Sequence, residues 1–535
     1  MEAITVLQLL ALPAGALAVS ALARRMDWNV PLLLVLAGLI ASILPFVPEY
    51  ELSPEIVLFV FLPPLLYSAA LDSSYLRLRD VKRPVMLLSI GLVLFTTAVV
   101  AAVTYMLVPE LTIPAAIAFG AIVAPPDAVA AVAVGRKLGL PRRVMTVLIG
   151  ESLFNDATAL TAYRVAIGVI AGSGAAVVTT GQQFLNAGGQ FLFAAGVGLA
   201  IGLAIAYVAG YILTRIKDAL VANSISLLVP WFAYLAAEVV HASGVISVVV
   251  VGIYLGHQMS RTSYGTRLLS AAVWQVMDFL LEGIVFALIG LQLLLLIEEL
   301  EGYDPVTVGM YALVLFLVTV LSRAVWMVPG ILLPRILSKK IRAREKKVPW
   351  QNVVTLSWAG MRGVVSLAAA FALPADVPQR DLLVFLTFAV VIGTLVVQGL
   401  SFPWLIRRLG ISNERERFED DLSEAAAQQA AAAAATARLD ELVAEGVLDI
   451  HEEVVQGLRD RSERVARMAW ERLGGGTGPE GEETPATVYR RLRREMLAAE
   501  RAVFIRLRDQ RRIDDEVLRR IMSELDFEEA TLERD

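Results

Sequence analysis

The chain contains 535 residues, of which 57% are hydrophobic and 19% are charged, and its formal net charge is -5. The apolar residues form blocks near the 20-residue length of a bilayer-spanning helix, which excludes an ordinary soluble globular protein. Cysteine is absent and only three histidines occur, which excludes disulfides and argues against a histidine or thiolate metal site. In the apolar part of the chain, most Lys and Arg residues lie in short loops between apolar blocks, a pattern of membrane topology rather than of nucleic-acid binding.

The apolar blocks predict an all-α, multi-pass membrane protein with about thirteen transmembrane helices, which we number as spans. Loops after odd-numbered spans carry Lys or Arg, whereas loops after even-numbered spans are neutral or acidic apart from one arginine. By the positive-inside rule, this alternation predicts an N-terminus outside and a C-terminus in the cytoplasm. The approximate spans are 4–22, 30–47, 55–71, 84–107, 112–134, 144–170, 189–214, 222–240, 243–258, 271–297, 306–336, 349–373 and 382–407.

Thirteen spans permit an inverted repeat, in which spans 1 to 6 correspond to spans 8 to 13. Span 5 contains Pro125 and Pro126, which lack backbone donors and are expected to interrupt the helix. Its counterpart, span 12, contains the string Gly360-Met361-Arg362-Gly363. We therefore predict two broken helices, a feature of secondary transporters whose binding site lies near the middle of the membrane.

The chain is predicted to divide near residue 410, where the hydropathy falls and charged, alanine-rich sequence begins. Residues 1–410 are expected to form the transmembrane domain and residues 411–535 a cytoplasmic helical tail. Within the tail, the stretch Gly474–Pro479 is predicted to be a flexible linker. Two interpretations of the tail stay open: a solvated helical bundle that aids assembly, and direct regulation of transport.

Polar side chains cluster on span 6 and at the break in span 5. Glu151 and Asn155 are four residues apart, as are Ser152 and Asp156, so these groups share one side of an apolar helix. Together with Asp127 and the carbonyls freed by the break, they offer oxygen ligands to a small monovalent cation. Burial favours the protonated form of a carboxylate, so one acid can hold either a cation or a proton. For Asp127, a structural role as a cap on the broken helix stays open.

The remaining buried charges are interpreted as structural ion pairs. Glu151 is expected to pair with Arg362, because a third unpaired acid in the same space would be very costly. Glu282 on span 10 and Arg323 on span 11 are expected to form a second pair. Asp278 lies one turn before Glu282 and is expected to be a solvated residue near a membrane face.

The string from Gly150 to Asp156, GESLFND, resembles the hallmark of monovalent cation/proton antiporters, in particular NhaP-type and NHE-type sodium/proton exchangers. The resemblance covers about residues 1–410. Supporting matches are Leu62-Pro63-Pro64-Leu65-Leu66, Pro126-Asp127-Ala128-Val129-Ala130, Glu282 with Phe286 and Gly290, Arg323, and Met361-Arg362-Gly363.

The resemblance implies a homodimer in which spans 5 and 12 cross inside a six-helix core that moves against a dimer-forming domain. It also implies that Asp127 and Asp156 hold the transported ion, helped by Ser152. An Asn-Asp pair, such as Asn155-Asp156, accompanies electroneutral exchange in the family.

Two departures from the pattern of many family members, one beside Asp127 and one on span 3, leave the cation preference open. Pro126 and Ala128 flank Asp127 where Thr and Pro are frequent, which removes a hydroxyl ligand. Ser68 stands where many members have Glu, which removes an acid.

We expect exchange of Na+ or Li+ for H+ across the cytoplasmic membrane, a role in pH homeostasis, and neither a bound cofactor nor enzymatic activity. K+/H+ exchange is an alternative, because the sequence does not reveal the cavity size that separates the ions. An intramembrane aspartic protease is a remote alternative that lacks the usual Gly-x-Gly-Asp or Tyr-Asp setting. A channel is disfavoured, because buried acids suit binding and carrying more than rapid passage.

Overall fold

A computed structural model describes residues 3–534 except 27, 46, 48–49, 51–53, 174–180, 299, 301, 338, 340–348, 412, 446–450 and 473–484. Every regular element in this part of the chain is helical. The chain divides into two compact units, Met1–Ser412 and Asn413–Asp535, which we describe separately. The predicted linker Gly474–Pro479 and most of the basic loop after span 11 lie outside the described residues.

Most helices of the first unit overlap a predicted span, whereas the short helix Tyr75–Asp80 lies in the loop between spans 3 and 4. In chain order they are α1 (Ala3–Arg25), α2 (Val30–Ser42), α3 (Pro54–Leu71), α4 (Tyr75–Asp80), α5 (Lys82–Leu107), α6 (Ile113–Val123), α7 (Val129–Leu138), α8 (Arg142–Ser173), α9 (Gly181–Arg215), α10 (Ala219–Val239), α11 (Gly244–Gln258), α12 (Tyr264–Leu291), α13 (Leu293–Glu298), α14 (Pro305–Leu337), α15 (Trp350–Trp358), α16 (Val364–Phe371) and α17 (Arg380–Leu409).

The all-α, multi-pass class is confirmed. Within the described residues, seven helices are individually long and apolar enough to cross a membrane, and α2 and α6 are shorter apolar helices. Length and composition therefore establish a multi-pass membrane protein, whereas the number of thirteen spans stays a prediction.

Both predicted helix breaks are confirmed. The first separates α6, which ends at Val123, from α7, which begins at Val129, and Pro125 and Pro126 lie between them. The second separates α15, which ends at Trp358, from α16, which begins at Val364. Each break leaves a short stretch of non-helical backbone inside an apolar segment, and such backbone is tolerated only where protein groups or a cavity satisfy it.

The helices α2 and α12 pack with their backbones in direct contact. A Cβ atom at Gly290 of α12 would lie 2.8 Å from the Cα of Gly38 and 2.8 Å from the amide nitrogen of Leu39, both on α2. Glycine is needed at this contact because any side chain would collide with main-chain atoms, which cannot turn away. The contact fixes the position of α12, which also carries Asp278 and Glu282.

The second unit contains α18 (Glu414–Ala444), α19 (Glu452–Arg472), α20 (Pro485–Asp509) and α21 (Asp515–Arg534). The pair α20 and α21 closes over a small apolar core that includes Leu497 and Leu525. Arg493 on α20 donates two hydrogen bonds of 2.7 Å to Glu528 on α21. These bonds hold the pKa of the Glu528 carboxyl below its usual range.

We predict that Gly290→Ala lowers the stability of the protein by about 1–3 kcal/mol, the usual cost of overpacking. The measurement is the free energy of unfolding or the melting temperature in detergent. Gly309→Ala on α14 is the matched control, because nothing lies within 4 Å of its added Cβ. Equal melting temperatures for the two variants would show that the contact between α2 and α12 is looser than described.

Candidate functional site

The two helix breaks cross and are joined by a hydrogen bond between their backbones. The amide nitrogen of Asp127 donates to the carbonyl oxygen of Met361 at 2.7 Å. Next to it, the amide of Arg362 donates to the hydroxyl of Thr394 on α17 at 2.9 Å. A Cβ at Gly363 would overlap the side chain of Asp127, so glycine at this position permits the close crossing.

Asp127 makes the capping contact that its sequence position allowed, and it also lines a cavity. Its Oδ1 accepts a hydrogen bond of 2.8 Å from the amide of Val129, the first residue of α7. This contact caps the second half of the broken helix, where the helix dipole also favours an anion. The same side chain lines a cavity, described below, and is therefore in reach of a diffusing ion.

The helix α8 brings Ser152, Asn155 and Asp156 to the first break. The Nδ2 of Asn155 donates to the carbonyl oxygen of Pro126 at 2.6 Å, and Asn155 is fully buried. Asn155 thus satisfies a carbonyl that the break leaves without a helical partner. Asp156, 8% exposed, and Ser152 both line the cavity.

We call this space, which has a volume of about 310 Å³, the central cavity. It extends from the crossing of the breaks to the ends of α3 and α7, because Asp72 directly follows α3 and Arg136 lies in the last turn of α7. Among the described residues of its lining, Arg136 is the one basic side chain. The polar lining residues are Ser68, Asp72, Ser73, Asp127, Arg136, Ser152, Asp156, Asp278, Glu282 and Ser366.

The structure changes the partner that the sequence suggested for Glu151. Arg323 donates from Nη1 and Nη2 to the two oxygens of Glu151, with Nη2 to Oε2 at 2.8 Å. Both side chains are at most 2% exposed. The Nε of Arg323 also donates to the carbonyl oxygen of Leu356 in the last turn of α15, at 2.8 Å. The expected pair of Glu151 with Arg362 is therefore wrong, because the two terminal nitrogens of Arg323 occupy both oxygens of the Glu151 carboxylate.

The expected pair of Glu282 with Arg323 is wrong for the same reason. Arg323 is committed to Glu151, and Glu282 instead lines the central cavity. Arg362 is 1% exposed at the second break, and its Nε and Nη1 have no hydrogen-bond partner in the part of the chain that the structure describes. Arg362 does not line the cavity.

Sequence reasoning missed two residues of the cavity wall. Asp278 is half-buried in the cavity wall rather than freely solvated, and its Oδ2 accepts a hydrogen bond of 2.5 Å from the hydroxyl of Ser68. Asp278 and Glu282 are four residues apart and therefore share one face of α12. That spacing was a usable signal, because two acids on one face of an apolar helix rarely point into lipid.

Comparisons with known proteins agree with this architecture. The family profile described as "Sodium/hydrogen exchanger, transmembrane" matches residues 10–408. An uncharacterized Na(+)/H(+) exchanger of Mycobacterium tuberculosis (strain ATCC 25618 / H37Rv) is 30% identical over 541 residues, which cover 98% of this chain and 95% of that protein. The Na(+)/H(+) antiporter ApNhaP of Aphanothece halophytica is 33% identical over 387 residues, which cover 72% of this chain and 70% of that protein.

The fold is similar to a solved structure, that of the sodium proton antiporter MjNhaP1 from Methanocaldococcus jannaschii. The TM-score is 0.58 at 20% sequence identity, and the match covers 75% of this chain and 97% of that chain. At this level of identity, the likeness shows a shared fold.

We predict that Glu151→Ala lowers the free energy of unfolding by about 3–5 kcal/mol, because it leaves the guanidinium of Arg323 buried without its partner. The double change Glu151→Leu with Arg323→Met should lower the free energy of unfolding by less than the single change does. Some destabilisation should remain, since methionine cannot donate a hydrogen bond to the carbonyl of Leu356.

The control for this experiment is the exposed pair of Arg164 and Glu238, whose side chains are 45% and 20% exposed. At this exposed pair, Glu238→Ala should lower the free energy of unfolding by about 0–1 kcal/mol. Thermal melting in detergent measures both effects. A Glu151→Ala variant as stable as Glu238→Ala would contradict the buried pair.

Proposed function

Because the chain belongs to the transmembrane sodium/hydrogen exchanger family, we propose that it exchanges Na+ for H+ across the cytoplasmic membrane by alternating access. The observation that carries the proposal is the central cavity, where Asp127 and Asp156 meet at the crossing of two broken helices. The family consists of transporters, so the aspartic protease alternative is set aside.

In this proposal Asp156 is the group that exchanges its ligand. It binds either one Na+ or one H+, and the site changes sides only when the carboxylate is neutralised. Ser152 lies one turn earlier on α8 and supplies a neutral oxygen to the cation. Asp127 helps to hold the cation, and the hydrogen bond from the amide of Val129 at the N-terminus of α7 favours its charged form against the cost of burial.

The buried contacts around the site suit a rigid moving part. Arg323 ties α14 to Glu151 of α8 and to Leu356 of α15. Asn155 ties α8 to the first break through the carbonyl of Pro126. We propose that these elements move together as the core of a homodimeric carrier whose transmembrane domain spans residues 1–410 and whose tail, residues 411–535, is cytoplasmic.

The proposed orientation makes the central cavity open to the cytoplasm. The cavity reaches Asp72 and Arg136, which adjoin the loops rich in Lys and Arg. The positive-inside rule assigns such loops to the cytoplasmic side. In this state Na+ from the cytoplasm has access to Asp156.

Exchange is proposed to be electroneutral. Asn155 stands beside Asp156 without a charge of its own, and its amide is occupied by the carbonyl of Pro126. If Asp127 keeps its charge throughout, the site carries one Na+ in one direction and one H+ in the other. No net charge then crosses the membrane in a cycle.

We predict that Asp156→Asn abolishes exchange, because an amide binds neither a proton nor Na+ with the strength of a carboxylate. In everted vesicles with a preformed pH gradient, Na+ should collapse the gradient with the wild type and leave it intact with the variant. Asp376→Asn, an exposed change in the loop after α16, is the matched control and should exchange normally.

Normal exchange by Asp156→Asn would refute the central assignment. The same assay with Na+, Li+, K+ and Rb+ over a range of pH identifies the transported cation. A response to K+ alone would replace Na+/H+ exchange by K+/H+ exchange.

We predict that the exchange rate in proteoliposomes does not change when a diffusion potential of either sign is imposed. A pH gradient of similar free energy should drive Na+ uptake in the same vesicles, which shows that the protein is active. A rate that rises with one sign of the potential and falls with the other would show that exchange is electrogenic.

A further inference from the structure

Three acids of the central cavity, Asp72, Asp278 and Glu282, play no part in the proposed cycle. Asp278 and Glu282 lie on α12, whereas Asp127 precedes α7 and Asp156 lies on α8. The cavity therefore has carboxylates on separate helices. Glu282 lacks the partner Arg323 that the sequence suggested, and Arg136, which lines the same cavity, is a basic side chain whose charge acts on both Asp278 and Glu282.

Asp278 is held in one orientation by α3. The hydroxyl of Ser68, which is 3% exposed, donates to its Oδ2 at 2.5 Å. Its other oxygen, Oδ1, is buried and accepts no hydrogen bond from any residue that the structure describes. A buried anionic oxygen without a donor is costly unless a cation or a proton neutralises it.

A second uncommitted oxygen lines the same cavity. Ser366 on α16 is 2% exposed, and its hydroxyl has no hydrogen-bond partner among the described residues. Hydroxyl and carboxylate oxygens are the ligands that hard cations prefer. Asp278 and Ser68 thus offer oxygen ligands on helices that carry neither Asp127 nor Asp156.

The position of Ser68 places this ligand set near the mouth of the cavity. Ser68 lies three residues before the end of α3 at Leu71, roughly 4.5 Å along the helix axis. Asp72 at the mouth follows directly. An ion that comes from the mouth therefore passes Asp278 before it reaches the crossing of the breaks.

We propose that Asp278, oriented by Ser68, and Glu282 form a second site for a monovalent alkali cation near the mouth of the central cavity. The ion occupies this site before it moves to Asp127 and Asp156. The inference deepens the proposed function and rests on it for the order of events, whereas the binding of the cation can be measured without transport.

The test is saturable binding of 22Na+ to the purified full-length protein, with excess unlabelled Na+ as the background. In a variant with Asp127→Asn and Asp156→Asn, binding should remain. Adding Asp278→Asn should remove it, whereas adding Asp376→Asn should leave it unchanged. Loss of all binding in the first variant, or binding that survives Asp278→Asn, would overturn the second site.

Two further variants test the role of the serine hydroxyl and guard against misfolding. Ser68→Ala should weaken the residual binding about tenfold, because a hydrogen bond to a charged group is lost. Ser68→Thr keeps a hydroxyl and should restore most of the affinity. Equal affinities for Ser68→Ala and Ser68→Thr would show that the hydroxyl does not position Asp278. Melting temperatures near that of the wild type establish that each variant is folded.

Transport kinetics separate the second site from the first. In an otherwise intact chain, Asp278→Asn should raise the KM for Na+ about tenfold and change kcat little, because Asp127 and Asp156 still carry the ion. A fall in kcat to background would place Asp278 in the exchanging site instead. If the wild type shows no exchange but binding follows the expected pattern, the proposed function fails and the second site stands.

Discussion

The architecture depends on one constraint: a polypeptide that is not helical inside an apolar layer must have its amides and carbonyls satisfied by the protein itself. The two breaks meet this demand at their crossing, where the amide of Asp127 reaches the carbonyl of Met361. Asn155 and Thr394 supply the neighbouring side-chain contacts. The need to satisfy these backbone groups therefore determines where the polar side chains lie. An ion can contact only the oxygens that these hydrogen bonds leave accessible.

Arg323 shows how one buried side chain can satisfy both a buried carboxylate and a backbone carbonyl. Its terminal nitrogens donate to Glu151 and neutralise the carboxylate, and its Nε donates a hydrogen bond to a carbonyl oxygen in the last turn of α15. Arginine suits this position better than lysine, since a single ammonium does not present donors along two directions of a rigid plane. Glu151 is thereby fully paired, whereas Asp156, the next acid along the same helix, lines the central cavity.

Sequence reasoning worked where the signal was local and failed where it depended on which helices are neighbours. Consecutive prolines located the first break, the glycines around Arg362 located the second, and the string ending in Asp156 identified the family, which the comparisons confirm. The partner of Glu151 could not be found, because every candidate arginine was compatible with the spans. Asp278 was judged solvated because nothing in its own helix shows that α3 covers it.

The contact between Gly38 and Gly290 limits where motion can occur. At this contact no side chain lies between the two backbones, so a shift of α12 at this point must displace α2 as well. If the wall that carries the breaks is the part that moves in the proposed cycle, the shape of the cavity changes while this contact is kept. The mouth-side carboxylates on α12 would keep a fixed distance from the membrane surface while the deeper ones change theirs.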